Sequence, residues 1–164
     1  MKEERIKLLK GQLNALLNSD FRDFDDLEDI SGKIGVYSIW KNQEVIYIGK
    51  TLKQDLKTRI YSTLQDFRTH TLNHKLMIEL LLSKYGAKLQ QNALALKHGF
   101  GTEEKNEFIA KGIFTEQQFS DLKKELKNDM KSHLKIKCIS LTKEKDITLL
   151  EHFAIAILDP KYND

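Results

Sequence analysis

A carboxylate, two phenols and a guanidinium are the side chains in this sequence whose type and spacing could carry out chemistry. Glu151 lies four residues from both Ile147 and Ile155 and seven from Leu158, which sets it on or beside the apolar face of a helix. A charge placed there costs free energy unless a partner offsets it. Two partners fit: a lysine that meets the carboxylate head, or a hard divalent cation, which takes carboxylate oxygen. Tyr37 and Tyr47 stand in two short β-rich runs with nine residues between them. Ile46 and Ile48 flank Tyr47, so its ring projects from the other face of the strand. A phenol, with an ordinary pKa of about 10, takes a proton from water only beside a cation. The plainer reading is a packed ring with its hydroxyl in solvent. Arg59 follows Leu56 by three residues at the edge of a helical stripe. It is either a surface arginine paired with a nearby aspartate such as Asp55 or a bidentate grip on phosphate oxygens.

Other groups offer less. His70 and His74 have the i,i+4 spacing of a zinc pair, but only one further ligand lies nearby and no cysteine does. Cys138 reads as a core thiol in a strand. His152 is expected on a different helix face from Glu151 and receives no role. The acidic residues Asp20, Asp23, Asp25, Asp26, Glu28 and Asp29 alternate with Phe21, Phe24 and Leu27 at three-residue spacing. They read as the solvated face of a short amphipathic element rather than a metal site. Lys123, Lys124, Lys127 and Lys131 line one side of a helix whose other side carries Phe119, Leu122, Leu126 and Met130.

The elements that must position these groups come from a chain of 164 residues, 40% hydrophobic and 31% charged, enough for one globular domain and too ordered in composition for a disordered one. One cysteine excludes an internal disulfide framework, and one proline excludes Pro-rich architectures. The net charge of +3 is compatible with an anionic partner without demanding one. Glu3, Glu4, Lys7 and Lys10 interrupt the start of the chain, so no signal-peptide core is present there. The longest apolar run, Phe153–Leu158, is too short to span a bilayer. No membrane partner and a cytoplasmic location are the expectation.

Ile6, Leu9, Leu13, Leu16 and Leu17 form a helical stripe that ends at Asn18-Ser19-Asp20. Val36–Trp40 and Glu44–Ile48 form a hairpin around Lys41-Asn42-Gln43. Asp55 caps a helix with Leu56, Ile60, Leu64 and Phe67 on one stripe, and a second helix through Leu76, Leu80 and Leu81 stops at Gly86. A capping box, Thr115 to Gln118, opens the lysine-bearing helix. Leu134–Leu141 returns to strand character, and a last helix follows Thr142. The order predicts an α+β fold with a small three-stranded antiparallel sheet flanked by helices. The chain is read as a single domain, with a core at 33–86 and 134–164, a helical extension at 1–32 and a helical insertion at 87–133.

Taken together, Gly35-Val36-Tyr37, Tyr47-Ile48-Gly49-Lys50-Thr51, Arg59, Lys84-Tyr85-Gly86, Glu151 and the ending Pro160-Lys161-Tyr162-Asn163 resemble the GIY-YIG nuclease superfamily over about half the chain. The resemblance implies the GIY-YIG nuclease fold and a Mg²⁺-dependent DNA endonuclease, with Mn²⁺ as a substitute metal. It makes Glu151 the metal ligand, Tyr37 the residue that activates water and Tyr47 the one that shapes the site. Arg59 becomes the clamp on the scissile phosphate, Lys50 a supplementary cation and Asn163 a positioning residue. With no further module after Asn163, the compact type II restriction and phage-type endonucleases are the closest in layout.

The sequence departs from that pattern at Thr63, where many members carry a histidine; His74, then Lys50, are the substitutes. Phosphate contacts with DNA are expected from Lys50, Arg59, Lys123, Lys124, Lys127 and Lys131. Double-strand cleavage by one small site calls for two copies or successive nicks. A homodimer on DNA is therefore expected, built from the N-terminal helix or the 87–133 insertion. The reading from another class is a non-catalytic nucleic-acid-binding domain on the same scaffold.

Overall fold

The computed structural model describes residues 1–65, 67, 68, 70–89, 96 and 99–163. In chain order the elements are α1 (Lys2–Asn18), a short 3₁₀ turn (Glu28–Ile30), β1 (Gly35–Lys41), β2 (Glu44–Thr51) and α2 (Leu56–Ser62). Then come α3 (Thr71–Leu89), α4 (Thr102–Ala110), α5 (Glu116–His133), β3 (Leu134–Ser140) and α6 (Glu144–Leu158). This is an α+β fold with one three-stranded antiparallel sheet in the order β2-β1-β3. Among the described residues, no helix is long and apolar enough to cross a membrane.

The chain divides into two units, residues 1–62 with 133–164, and residues 63–132. The first holds the sheet. Its hairpin closes through Asn42 and Gln43, both at positive φ (50° and 67°), so a two-residue turn matches the twist of the paired strands. One sheet face presents Val36 and Ile48 to Leu13 and Leu16 of α1 and to Ile147, Leu150 and Ala154 of α6. Full burial of each such leucine or isoleucine is worth about 1.5–3 kcal/mol. The leucine stripe of α1 is thus consumed inside its own unit. The helix is part of the sheet unit rather than an extension beside it, and its buried leucines are not available to a second copy.

The second unit is built around aromatic rings. Phe67, Phe100, Phe108, Phe114 and Phe119 pair with centroid separations from 5.5 to 6.2 Å, two of the pairs stacked. The capping box forms as the sequence predicts: Gln118 N donates to Thr115 Oγ1 (3.1 Å), and Thr115 N donates to Gln118 Oε1 (2.8 Å). Phe119, Leu122, Leu126 and Met130 are buried, as the period requires.

Three boundaries differ from the sequence reading. α2 ends at Ser62, whose hydroxyl donates to the Arg59 carbonyl (2.7 Å), so Leu64 and Phe67 lie beyond it in the second unit. α3 continues through Gly86 to the fully buried Leu89; Gly86 is not among the positive-φ residues, so it caps nothing. Consequently 63–86 belongs with 87–132 rather than with the sheet.

Candidate active site

Strand pairing places the two tyrosines side by side. Tyr37 sits opposite Gly49 and Tyr47 opposite Ile39, so alternation puts both rings on the sheet face away from Val36 and Ile48. Their centroids are 6.2 Å apart. Tyr37 is fully buried and Tyr47 nearly so. The glycines of the hairpin make this possible. A Cβ on Gly49 would stand inside the Tyr37 ring, overlapping its Cζ and hydroxyl and lying 2.8 Å from Cε1. A Cβ on Gly35 would collide with the Ile139 carbonyl of β3, 3.0 Å from both Ile139 C and Ser140 Cα. Gly49 lets the ring lie flat over β2, and Gly35 lets β1 and β3 close.

Arg59 is delivered by the first turn of α2. Asp55 accepts from Thr58 N at Oδ1 (2.7 Å) and from Gly32 N at Oδ2 (3.0 Å), which caps the helix and ties it to the loop before β1. Those two amides hold the Asp55 carboxyl below the usual carboxylate range. The Arg59 guanidinium then reaches the Tyr37 hydroxyl. Burial pushes the Tyr37 phenol well above its ordinary value; Tyr47 and Glu151 push the same way, and Arg59 opposes them without prevailing. The phenol therefore keeps its proton through the physiological range.

Glu151 lies on α6 with its side chain 15% exposed. Its Oε2 accepts from Lys50 Nζ at 2.6 Å, the lysine that immediately follows the second glycine motif. His152 Nε2 stands 3.8 Å from the same oxygen. Adjacent helical residues diverge by about 100°, yet the His152 ring comes within 3.8 Å of the carboxylate and borders the site from an exposed position. Lys50 and His152 both approach Oε2, which leaves Oε1 to a further partner. Among the described residues no group of three His, Cys, Asp or Glu side chains converges. A single carboxylate suits a hydrated hard ion such as Mg²⁺ and not an ion that needs several protein ligands.

Asn163 locks the rim of the site. Its Oδ1 accepts from Ile48 N (2.8 Å) and its Nδ2 donates to Ile48 O (2.7 Å), while Tyr162 N donates to Ile46 O (3.1 Å). One side-chain amide thus imitates a strand residue and fixes the backbone between Tyr47 and Gly49.

The sheet unit holds Tyr37, Tyr47, Arg59, Lys50, Glu151 and Asn163; alternation sets Lys50 with Val36 on the α6 face and the two tyrosines on the other, and the Glu151 charge is still felt at the Tyr37 phenol. His74 belongs to the other unit, where its Nδ1 is 2.9 Å from the Phe67 carbonyl. Thr63, in the place of the histidine, is buried and bonded through its hydroxyl to His70 Nε2 (3.1 Å), with its carbonyl held by Asn73 Nδ2 (2.6 Å). Lys123 and Lys124 are exposed on α5; Lys127 and Lys131 are half-buried and engaged within the protein. Cys138 is buried in β3 opposite Tyr37, and burial pushes its thiol up. In the acidic stretch, Asp29 pairs with Arg22, Glu28 with Lys57 and Asp23 with Lys135. His152 and the steric duty of the two glycines are what sequence reasoning missed; the glycines were visible in the motif, but a ring lying across a strand has no local pattern. No family profile, curated protein or solved structure matches the chain.

Proposed function

We propose that the protein is a Mg²⁺-dependent DNA endonuclease of the GIY-YIG kind, resembling the compact restriction and phage-type enzymes. The observation that carries this reading is that Tyr47, Arg59 and Glu151 all act on the Tyr37 hydroxyl, although the four come from two strands and two helices and are separated by up to 114 positions in the chain. A Mg²⁺ held through Glu151 would supply Lewis-acid polarisation of phosphate oxygen. Arg59 grips two oxygens of the scissile phosphate and sets the phosphorus against the tyrosine pair. Tyr37, protonated and fully buried, positions the Arg59 guanidinium through its hydroxyl, and Tyr47 walls the site from its buried side. Lys50 neutralises Glu151 before substrate arrives and is placed to move onto phosphate.

The Lys50–Glu151 ion pair also favours a second reading. It satisfies the carboxylate without any metal, as a non-catalytic nucleic-acid-binding domain would require. Incubation of supercoiled plasmid with and without Mg²⁺ separates the two. The proposal expects nicked or linear product with Mg²⁺ only, and none from Glu151→Gln, which should retain the fold by circular dichroism. Cleavage by Glu151→Gln at the unaltered rate would remove Glu151 from the mechanism. No cleavage by the unaltered chain on any duplex would leave the binding domain as the better description.

A further inference from the structure

The second unit contains a cavity of about 180 Å³ that the reading above does not use. Arg68, Lys105 and Lys123 line it together with Gln65 and the Thr102 hydroxyl, and no acidic side chain lines it among the described residues. Phe119 forms an apolar wall, 3% exposed. Lys105 Nζ and Lys123 Nζ each lie 5.5 Å from the Phe119 ring centroid, so the two ammonium groups are separated by no more than twice that distance. Lys105 is held in place by Glu116, 3.1 Å away, which does not line the cavity.

From these residues we infer that the cavity is a phosphate-binding pocket. Three side-chain cations around one concave space of this size attract a compact anion, and a tetrahedral oxyanion can take several N–H and O–H donors at once. Lys105 and Lys123 supply ammonium charge, Gln65 and Thr102 offer neutral donors, and Arg68, itself engaged within the protein, adds a further positive charge. The aromatic wall lowers the local dielectric and strengthens each of those contacts. The positive end of α4, whose first residue is Thr102, adds to the field, although Glu104 already turns its carboxylate to Gly101 N (2.8 Å). The lysines therefore carry most of the attraction. The pocket is independent of the nuclease chemistry: it stands or falls on residues 65–123 alone.

Phosphate reaches such a pocket either as a free or terminal phosphate group or as an internal diester of a strand. Amide-resolved NMR titration of the full chain distinguishes them. Inorganic phosphate, at constant ionic strength held with chloride, is expected to shift the resonances of Arg68, Thr102, Lys105 and Lys123 saturably. Lys105→Met with Lys123→Met should weaken that binding at least tenfold, whereas Lys111→Met, exposed in the same unit but outside the cavity, should leave it within twofold. A short oligonucleotide without a terminal phosphate, competing for the same resonances, would assign the site to strand diesters; failure to compete would assign it to the free or terminal group. Should the double variant lose its dispersed spectrum, Lys123→Met alone serves, since Lys123 is exposed. Non-saturating shifts, or equal binding by the unaltered chain and the lysine variants, would overturn the assignment.

Discussion

Replacing Gly49 by alanine adds one methyl group at the most crowded point of the sheet. The new Cβ would overlap Cζ and the hydroxyl of Tyr37 and come within 2.8 Å of Cε1. The ring cannot swing clear cheaply, because it is fully buried and has Tyr47 beside it at 6.2 Å. Overpacking of this kind costs about 1–3 kcal/mol, and alanine in an unstrained strand would otherwise gain about 0.5–1 kcal/mol over glycine. Gly49→Ala is therefore expected to destabilise the protein by about 1 kcal/mol net, read as a lower urea midpoint at unchanged m-value. A double-mutant cycle isolates the cause. Tyr37→Ala removes the ring at a cost of about 3–5 kcal/mol by the usual measure for large aromatic truncations. In that background Gly49→Ala should cost nothing or stabilise slightly, giving a coupling of about 1–2 kcal/mol. Equal costs of Gly49→Ala with and without the ring would refute the steric argument, as would a neutral Gly49→Ala in the unaltered chain.

Tyr37 also sets an alkaline limit. Its phenol is raised in the folded state, so its contribution is intact below pH 10 and is lost as pH climbs from there through the folded value. Urea titrations between pH 9 and 11.5 (roughly, the range bracketing an ordinary phenol) should show a shallower decline for Tyr37→Phe, by about one proton's worth of slope; parallel declines would contradict it. Lys50→Met frees Glu151 from its counter-ion. With the pair's strength taken as about 1 kcal/mol, Mn²⁺ affinity by calorimetry should rise about fivefold, and unchanged or weaker binding would mean that Lys50 does not compete for the carboxylate. On α5, charge reversal of the exposed Lys123 and Lys124 should weaken DNA binding and flatten its salt dependence more than reversal of Lys127 and Lys131. An unchanged salt slope would place this face away from the nucleic acid.

Much of the sheet unit was legible in the sequence because its signals are local. Alternation in the two runs, the Asn42-Gln43 turn and the Asp55 cap each act within a few residues and fix the hairpin and the start of α2. The half-buried position of Glu151 followed from helical period, and its lysine partner was one of the two that chemistry allowed. Boundaries decided by tertiary contact were not legible. Gly86 has the composition of a stop, but Leu89 finds a buried place one turn later and the helix runs on. Nor was the approach of His152 to Glu151, because helical spacing alone sends adjacent side chains in diverging directions. Residues 63–86 fall in the second unit, where Thr63 is bonded to His70 and to Asn73, contacts invisible until the chain has folded.

The pairing of Asn163 and Tyr162 with β2 has a consequence beyond the site. In the order β2-β1-β3, β2 is an edge strand, and an open edge is a template on which another chain can add itself as a further strand. Here the amide of Asn163 occupies both backbone groups of Ile48, and the main chain at Tyr162 occupies the Ile46 carbonyl, so the template is blunted along the stretch that carries Tyr47. The same few atoms that steady the tyrosine thus guard the protein against self-templated aggregation.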